Sequence, residues 1–322
     1  MTNDTSQSAL RRIAIVGVGA VGSTTAYAMM QAGTAPQIIL VDRDRRRADG
    51  ERMDLQHCLP FTEPVSLDVR DLEETTDCDM VIVTAGVNPR PGEDQIELIQ
   101  RNVTIFHSLF PALARQNPNA IFLIITNPVD IMTRVALDLS GLPSHQVIGS
   151  GTLLDTVRFR TLLSHHCGIL PRHVHAYVIG EHGNKEILVW SRAMIGPFHV
   201  SEHCDQQGLS LSPDDTEYIE QSVRSASVEI IERKGATHFA MGLVAVYIAE
   251  ALASSQNAVF TVSRRFEGRY RLKDVCLSVP TLVDRQGAHA QCELELSHGE
   301  RSALMQSAKD LDALYAKLDL TP

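Results

Sequence analysis

Short apolar runs alternate with helix-like polar stretches over the first half of the chain. Residues 13–16, 38–41, 80–84, 120–126 and 147–149 are runs of the kind that form buried parallel strands. Patterns typical of helices lie between them. Strands that alternate with helices predict a doubly wound parallel sheet.

The pattern changes after residue 150, where strands and helices no longer alternate regularly. Helices are predicted at 153–166, 229–234 (the end of a longer one), 236–253 and 300–318, strands at 174–179, 187–190, 274–277 and 291–296, and a polar link at 201–215. The change predicts a second domain, of mixed α+β type, from residue 151 to residue 322.

The totals exclude several classes of protein. The 322 residues are 44% hydrophobic and 21% charged, as in a soluble globular protein with a sizeable core. A net charge of −10 argues against a nucleic-acid-binding protein, which usually carries a basic stripe. Residues 1–12 lack the apolar core of a signal peptide, and the apolar run at 239–249 is too short for a bilayer. We therefore expect no membrane partner and a cytoplasmic location.

The six cysteines show no CxxC pair and no compact framework spacing, which predicts free thiols. His165, His166 and Cys167 are adjacent on a predicted helix and point in different directions, so they are poorly placed to bind one ion. No metal site is predicted.

The turn after the first strand has the full context of a dinucleotide-binding motif. Its residues are Gly17, Val18, Gly19, Ala20, Val21 and Gly22. It follows a strand and opens a helix, and 20 residues after its last glycine the second strand ends in Asp42. A carboxylate there accepts from ribose hydroxyls and repels a 2′-phosphate. The sequence thus predicts NAD, rather than NADP, on a Rossmann-type doubly wound parallel sheet spanning residues 1–150.

The ends of later strands are expected to complete this cofactor site. Thr84, Ala85 and Gly86 stand at the end of one predicted strand, and Asn127 follows the next. Ligands bind at the carboxyl ends of strands in open α/β sheets. The Pro- and Gly-rich segment at 85–95 starts at the same edge and is placed to act as a lid.

His182 lies on a glycine-flanked loop just after a predicted strand, a common place for proton transfer. Asp155 and Arg158 are three residues apart on a predicted helix and share a face, whereas Arg160 points elsewhere. The spacing alone is equally compatible with a surface ion pair between Asp155 and Arg158.

These three side chains suit hydride exchange at a hydroxy or keto acid. An imidazole at position 182 can give a proton to the carbonyl oxygen as hydride arrives. A carboxylate on its other nitrogen would fix the tautomer. A guanidinium would seat the substrate carboxylate through two hydrogen bonds.

The sequence resembles the L-lactate/malate dehydrogenase family from about residue 11 to the C terminus. The resemblance rests on the strand that ends in Asp42 and on six motifs in the family's order: GVGAVGS (17–23), MDLQH (53–57), TNPVD (126–130), GSGTLLDTVRFR (149–160), IGEHG (179–183) and DVCLSVP (274–280). It implies that His182 is the acid/base, Asp155 its partner and Arg158 the carboxylate clamp. It also implies that Asn127 lies by the carbonyl and the nicotinamide, and that Thr237 lines the substrate pocket.

One loop departs from the family pattern. The family's loop carries an arginine that polarises the substrate carbonyl, and that position is Gln95 here. The position that distinguishes lactate from malate enzymes, Gln or Arg respectively, falls on Pro89, while Arg90 is displaced by one residue. Losing a cationic donor of this type costs on the order of 10²–10³ in turnover. We therefore expect a non-standard 2-oxo acid as substrate.

Three functions are compatible with this pattern. The first is an NAD-dependent oxidoreductase that interconverts a 2-oxo acid and an L-2-hydroxy acid. The second is a reductase of an imine or another 2-oxo-acid derivative whose electrophile is already activated. The third is a dinucleotide-binding homologue without turnover, acting as a sensor or an assembly subunit.

The resemblance also extends to an effector site. Arg160 and His175 match positions at which bacterial lactate dehydrogenases that are activated by a sugar bisphosphate bind that effector across a subunit interface. It implies a homotetramer that responds to fructose 1,6-bisphosphate. The alternative is that both residues are ordinary surface charges.

Overall fold

The computed structural model describes residues 10–88, 90 and 92–320. Its strands are β1 (Arg12–Val16), β2 (Gln37–Val41), β3 (Ser66–Val69), β4 (Met80–Val83), β5 (Ile121–Ile124), β6 (Val147–Gly149), β7 (Val174–His175), β8 (Val178–Ile179), β9 (Ile187–Leu188), β10 (Met194–Ile195), β11 (Phe198–His199), β12 (Ala258–Glu267), β13 (Lys273–Asp284) and β14 (Gly287–Gln291). Its helices are α1 (Ala20–Ala32), α2 (Arg45–Gln56), α3 (Gln95–Gln116), α4 (Val129–Ser140), α5 (Leu153–Cys167), α6 (Val200–Gln207), α7 (Pro213–Lys234), α8 (Phe239–Ala253) and α9 (His298–Tyr315).

The first six strands form a parallel sheet in the order β3-β2-β1-β4-β5-β6. This is the strand order of dinucleotide-binding sheets, with the crevice at the carboxyl ends of β1 and β4. The apolar runs predicted at 13–16 and 38–41 form β1 and β2, and β4 and β5 are buried along their whole length. The predicted Rossmann-type fold is confirmed.

The sheet continues into the second half of the chain. Ser263 of β12 pairs with Gly149 of β6, and β12, β13 and β14 extend the sheet with antiparallel pairing. Two small sheets, β11-β10-β7 and β8-β9, lie outside it. The mixed α+β character of the second half is confirmed, while the domain boundary at residue 150 stays a prediction.

Some elements differ from the predicted ones. The run at 174–179 breaks into β7 and β8, because β7 pairs with β10 and β8 pairs with β9. The polar link at 201–215 contains α6, which ends at Gly208 in the left-handed conformation. The strand expected at 291–296 is wrong, since β14 ends at Gln291.

The core lies on both faces of the main sheet. Side chains alternate along β1, so Ile13 and Ile15 join one apolar cluster while Ala14 and Val16 join the other. A smaller cluster around Phe159 supports α5 and the strands beside it. In the part of the chain that the structure describes, every helix is too short or too polar to cross a lipid bilayer.

Candidate active site

The glycine-rich turn joins β1 to α1 and leaves the start of the helix open. Gly22 packs directly on the turn, since a Cβ there would lie 1.9 Å from the Gly17 carbonyl oxygen. At Gly19, a Cβ would meet only the tip of Arg47, at 3.9 Å. Gly19 precedes α1 without a side-chain cap, so the first N–H groups of the helix remain available to an anion. The turn therefore has the space and the donors that a pyrophosphate needs.

Asp42 is fixed beside this turn, at the end of β2. Its carboxylate accepts hydrogen bonds from the backbone N–H groups of Val18 and Asp44, at 2.9 and 3.0 Å. Each oxygen keeps a lone pair for a ribose hydroxyl, while the negative charge opposes a 2′-phosphate. The arrangement suits NAD, although Arg43 and Arg47 line the same cavity.

The cavity at this edge of the sheet has a volume of about 590 Å³, within the range of small-molecule sites. Among the residues predicted to bind the cofactor, it is lined by Gly17, Gly19, Asp42, Thr84, Ala85 and Gly86. Ala20 and Val21 instead begin α1, and Asn127 is exposed after β5, where the Asn102 amide donates to its carbonyl oxygen at 3.1 Å. The residues that line the cavity fit NAD.

His182 follows β8 on a loop that is tied to the main sheet. Gly180 and Ser278 of β13 exchange two backbone hydrogen bonds, of 2.8 and 3.0 Å. Gly180 and Gly183 have φ values of 87° and 129°, which side chains with a Cβ rarely adopt. Asp130 accepts the backbone N–H of His182 at 2.8 Å. The backbone is thus held on both sides of the imidazole.

Asp155 lies in the first turn of α5, which is tied to β8. The Thr152 hydroxyl donates to the Val178 carbonyl oxygen at 2.6 Å, and the Thr156 hydroxyl accepts the Val178 N–H at 2.9 Å. These bonds fix the helix that carries Asp155 against the strand that leads to His182.

One carboxylate joins the histidine to the arginine. Asp155 Oδ2 lies 2.6 Å from His182 Nδ1, and Asp155 Oδ1 accepts from Arg158 Nη1 at 2.8 Å. Asp155 is 1% exposed, whereas the side chains of His182 and Arg158 are 21% and 15% exposed. Because Nδ1 is bonded to Asp155, Nε2 is the ring nitrogen that His182 can offer to another partner. Asp155 and Arg158, three residues apart, therefore form a buried ion pair, and Asp155 orients His182.

The charges of this group keep a proton on the imidazole. Burial favours the neutral ring, but the Asp155 charge and hydrogen bond outweigh burial and raise the pKa of His182 to about 9. Burial also opposes ionisation of Asp155, yet His182 and Arg158 hold the pKa of that carboxyl below its usual range. At neutral pH the pair is therefore an imidazolium and a carboxylate, and its proton is lost as pH rises through about 9.

Two buried carboxyl groups beside this pair escape the sequence analysis. Asp130 is 3% exposed, and burial raises its pKa to about 6. Glu186 is 2% exposed, and burial and then the Asp155 charge raise its pKa to about 8. Each acid adjoins an apolar run, which is a signal for a buried charge with a special role.

Among the described residues, Asp155, His182 and Glu186 form a group that could in principle bind a metal ion. Their possible metal-binding atoms lie within 4.8 Å of one another. Carboxylates and imidazole can hold a divalent ion. Here the imidazole already bonds to Asp155 at 2.6 Å, and the Arg158 charge lies against the same carboxylate. We therefore assign no metal to this group. His165, His166 and Cys167 lie outside it.

The loop that differs from the family ends against α3. Glu93 pairs with the Arg101 guanidinium through contacts of 2.7 and 2.9 Å and accepts the backbone N–H of Arg90 at 2.8 Å. Gln95 is the first residue of α3, and the side chains of Gln95 and Arg90 are exposed. Pro89 lies outside the described residues.

The remaining candidates lie in the second half of the chain. Thr237 is partly exposed between α7 and α8. Arg160 donates through Nε to the Ala176 carbonyl oxygen at 2.9 Å and lies over the Tyr177 ring, 5.1 Å from its centroid. His175, one residue before Ala176, is exposed on β7. The predicted roles of these residues stay predictions.

The chain matches two family models that together span most of its length. Residues 11–149 match the lactate/malate dehydrogenase NAD-binding domain. Residues 152–318 match the lactate/malate dehydrogenase alpha/beta C-terminal domain.

Individual relatives agree with these matches. The L-lactate dehydrogenase of Acetivibrio thermocellus is 42% identical over 311 residues, covering 97% of this chain and 98% of the relative. That of Synechococcus sp. (strain JA-3-3Ab) is 46% identical over 294 residues, covering 91% and 95%. The crystal structure of the minor L-lactate dehydrogenase of Enterococcus mundtii, in a ligand-bound form, superimposes with a TM-score of 0.92 at 34% identity, covering 97% of this chain and 99% of that one.

Proposed function

The chain belongs to the lactate/malate dehydrogenase family as an NAD-dependent 2-hydroxy acid dehydrogenase, and we propose that it interconverts a 2-oxo acid and an L-2-hydroxy acid with His182 as acid and base. The observation that carries the proposal is the single buried carboxylate of Asp155, which orients both His182 and Arg158. Its substrate is expected to be other than the family's standard ones, because Gln95 stands where the family has a polarising arginine.

The geometry divides the work among the residues. Bound NADH supplies the hydride. His182 Nε2 gives its proton to the carbonyl oxygen as charge develops there, and it takes the proton back in the reverse direction. Asp155 holds the ring and stabilises the imidazolium. Arg158 engages Asp155 through Nη1, so the rest of its guanidinium is available to a substrate carboxylate.

The proton donor and the carboxylate seat are therefore in place, while the loop lacks the cation that polarises the carbonyl. This combination favours a 2-oxo acid whose carbonyl needs less polarisation than pyruvate, or an imine formed from such an acid. A homologue without turnover is the weaker interpretation, since the hydrogen bonds between Asp155 and both of its partners are intact.

Arg158→Lys is expected to raise KM for the 2-oxo acid by about tenfold or more, because a point charge replaces a planar fork. The dissociation constant of oxamate, a carboxylate-bearing analogue, should rise in parallel, while NADH affinity stays within twofold. Steady-state kinetics and calorimetry measure these quantities. Arg172→Lys, at an exposed position, is the matched control. Unchanged KM and unchanged oxamate affinity would rule out the clamp.

A homotetramer is also proposed, since one face of α8 is apolar and exposed. Phe239, Leu243 and Tyr247, spaced four apart, are 68%, 65% and 55% exposed. Tyr27 of α1 and Val157 of α5, on helices that pack against α8, are 47% and 43% exposed. Exposed apolar patches of this kind mark interaction sites, and a contact with another copy of the chain would cover this one.

Fructose 1,6-bisphosphate is expected to activate the enzyme through Arg160 and His175. Within the described ranges no carboxylate forms an ion pair with Arg160, so its charge is available to a phosphate. Activity should rise with the sugar phosphate, and Arg160→Gln should remove the response while Arg172→Gln keeps it. A flat response in the parent protein would exclude the effector site, and a monomer by light scattering at micromolar concentration would exclude the assembly.

A further inference from the structure

Glu186 lies beside the hydrogen-bonded pair of His182 and Asp155, with a carboxyl oxygen within 4.8 Å of both. A hydrogen bond of 3.0 Å from the Glu186 N–H to the Gly183 carbonyl oxygen closes a turn just after His182. The Glu186 side chain is buried, and one carboxyl oxygen, Oε1, accepts no hydrogen bond from any described residue. A buried carboxylate would need such donors, so the empty acceptor position points to a protonated group.

The surrounding charges agree with a neutral Glu186. Its carboxyl lies within 4.8 Å of the Asp155 carboxylate and the His182 ring. The nearby cations are directed elsewhere, since Arg158 pairs with Asp155 and Arg224 pairs with Glu220 while donating only to the Glu186 backbone oxygen. Two adjacent buried carboxyl groups rarely both ionise, and the one without a cation keeps its proton.

We propose that Glu186 is a positioning residue for the reaction. It is a neutral buried acid that donates a hydrogen bond to the Asp155 carboxylate and so holds that carboxylate in place between His182 and Arg158. This role rests on the proposed function. The hydrogen bond from Glu186 also lowers the pKa of Asp155, after the larger effects of His182 and Arg158. In this arrangement the second carboxyl group of the cluster is a hydrogen-bond donor rather than a metal ligand.

Glu186 also adjoins a second cavity. It forms part of the wall of a cavity of about 610 Å³, which Arg224, Glu300 and Ser307 also line. Ionisation of Glu186 adds a negative charge beside His182, and that charge strengthens the hold on the His182 proton.

The charged groups that face Glu186 set the pH at which this occurs. The groups with the largest effects are Asp155 and Arg158 on α5, His182 on its own loop and Arg224 on α7; Lys185, Glu220, Glu300 and Asp310 line the same cavity. Burial and the Asp155 charge raise the pKa of Glu186 to about 8, against the three cations. The two titrations are coupled, so the pH profile reports the pair rather than either residue.

Two substitutions distinguish the hydrogen bond that neutral Glu186 donates from the effect of its ionisation. Glu186→Gln keeps a neutral donor of the same shape but cannot ionise, so no charge is added at high pH. The decrease of kcat/KM for 2-oxo acid reduction at high pH should then begin about one pH unit lower. Glu186→Leu keeps the volume but removes the donor, and kcat should fall about tenfold relative to the Gln variant, with KM and NADH affinity within twofold.

Infrared spectroscopy tests the protonation state without turnover. The spectrum of the parent minus that of Glu186→Gln should show the carbonyl stretch of a protonated carboxylic acid at pH 7, and this band should disappear as pH rises past about 8. Asp130 and Glu181, whose burial also raises their pKa values, cancel in this difference.

The proposal requires the infrared band, the shifted pH profile and the lower kcat of the Leu variant. Absence of the band at pH 7, an unshifted pH profile in the Gln variant, or equal kcat in the Gln and Leu variants would overturn it. If no 2-oxo acid is turned over, the proposed function fails, and the infrared band alone then decides the protonation of Glu186.

Discussion

Replacement of His182 by alanine is expected to lower kcat for 2-oxo acid reduction by roughly 10³-fold, within the range that a positioned general acid contributes. The imidazole is the group on the Asp155 carboxylate that can carry a proton to the carbonyl oxygen. Affinity for NADH should stay within twofold, because the cofactor cleft is lined by Gly17, Gly19 and Asp42 and His182 does not line it. Single-turnover kinetics and NADH fluorescence titration measure the two effects separately.

His173→Ala, which removes an exposed imidazole from the same half of the chain, is the control and should leave both quantities unchanged. A His182 variant that loses NADH binding together with activity would mean that the residue supports the fold of the cleft. In that case its assignment as the acid would fail.

Gln95→Arg is expected to raise kcat for pyruvate by about 10²-fold, the scale of a hydrogen bond donated to a developing oxyanion in the transition state. Gln95 is exposed at the first position of α3, so an arginine there meets no packing obstacle within the described residues. Most of the increase should appear in kcat rather than KM, because the interaction strengthens as charge develops on the carbonyl oxygen. Thr104→Arg, exposed on the same helix, adds the same charge without that interaction.

The residue at position 89 is expected to determine which 2-oxo acid is preferred. Pro89→Gln combined with Gln95→Arg should favour small uncharged side chains, whereas Pro89→Arg with Gln95→Arg should favour a second carboxylate, as in oxaloacetate. Steady-state kcat and KM for pyruvate and oxaloacetate across these variants are the measurement. If no variant improves on the parent with pyruvate while the parent is fast on another 2-oxo acid or imine, Gln95 belongs to a different recognition scheme.

The dinucleotide site could be predicted because its signals are local. A strand, a glycine turn, a helix and an acid at the end of the next strand follow one another closely in the sequence. The structure places Gly17, Gly19 and Asp42 on one cavity. Short-range periodicity is sufficient for such a unit, since its parts are neighbours in both sequence and space.

The contact between His182 and Asp155 could be predicted only in part. Spacing puts Asp155 and Arg158 on one helix face, but a surface ion pair has the same spacing. What decides between them is the burial of Asp155 and its contact with His182, 27 residues away. That contact depends on hydrogen bonds from Thr152 and Thr156 to β8, which no periodicity reveals.

The buried carboxyl groups and the break between β7 and β8 left weaker signals in the sequence. Glu186 reads as a polar residue at the start of a short apolar run, and its burial follows from the turn at Gly183. The run at 174–179 is uniformly strand-like, yet β7 and β8 belong to different sheets because their partners, β10 and β9, lie further along the chain. Pairing partners at long range are not encoded in the local pattern.

The central claim is that the protein reduces a 2-oxo acid with NADH through His182. The most direct test is NADH oxidation by the parent and by His182→Ala with a panel of 2-oxo acids, each with and without an amine, followed by chiral analysis of the product. We expect at least one 2-oxo acid to give an L-2-hydroxy acid in the parent and to lose turnover in the variant. An amino acid formed only with the amine would establish the imine reaction instead. Tight NADH binding by a folded parent, with no oxidation by any member of the panel, would contradict the claim.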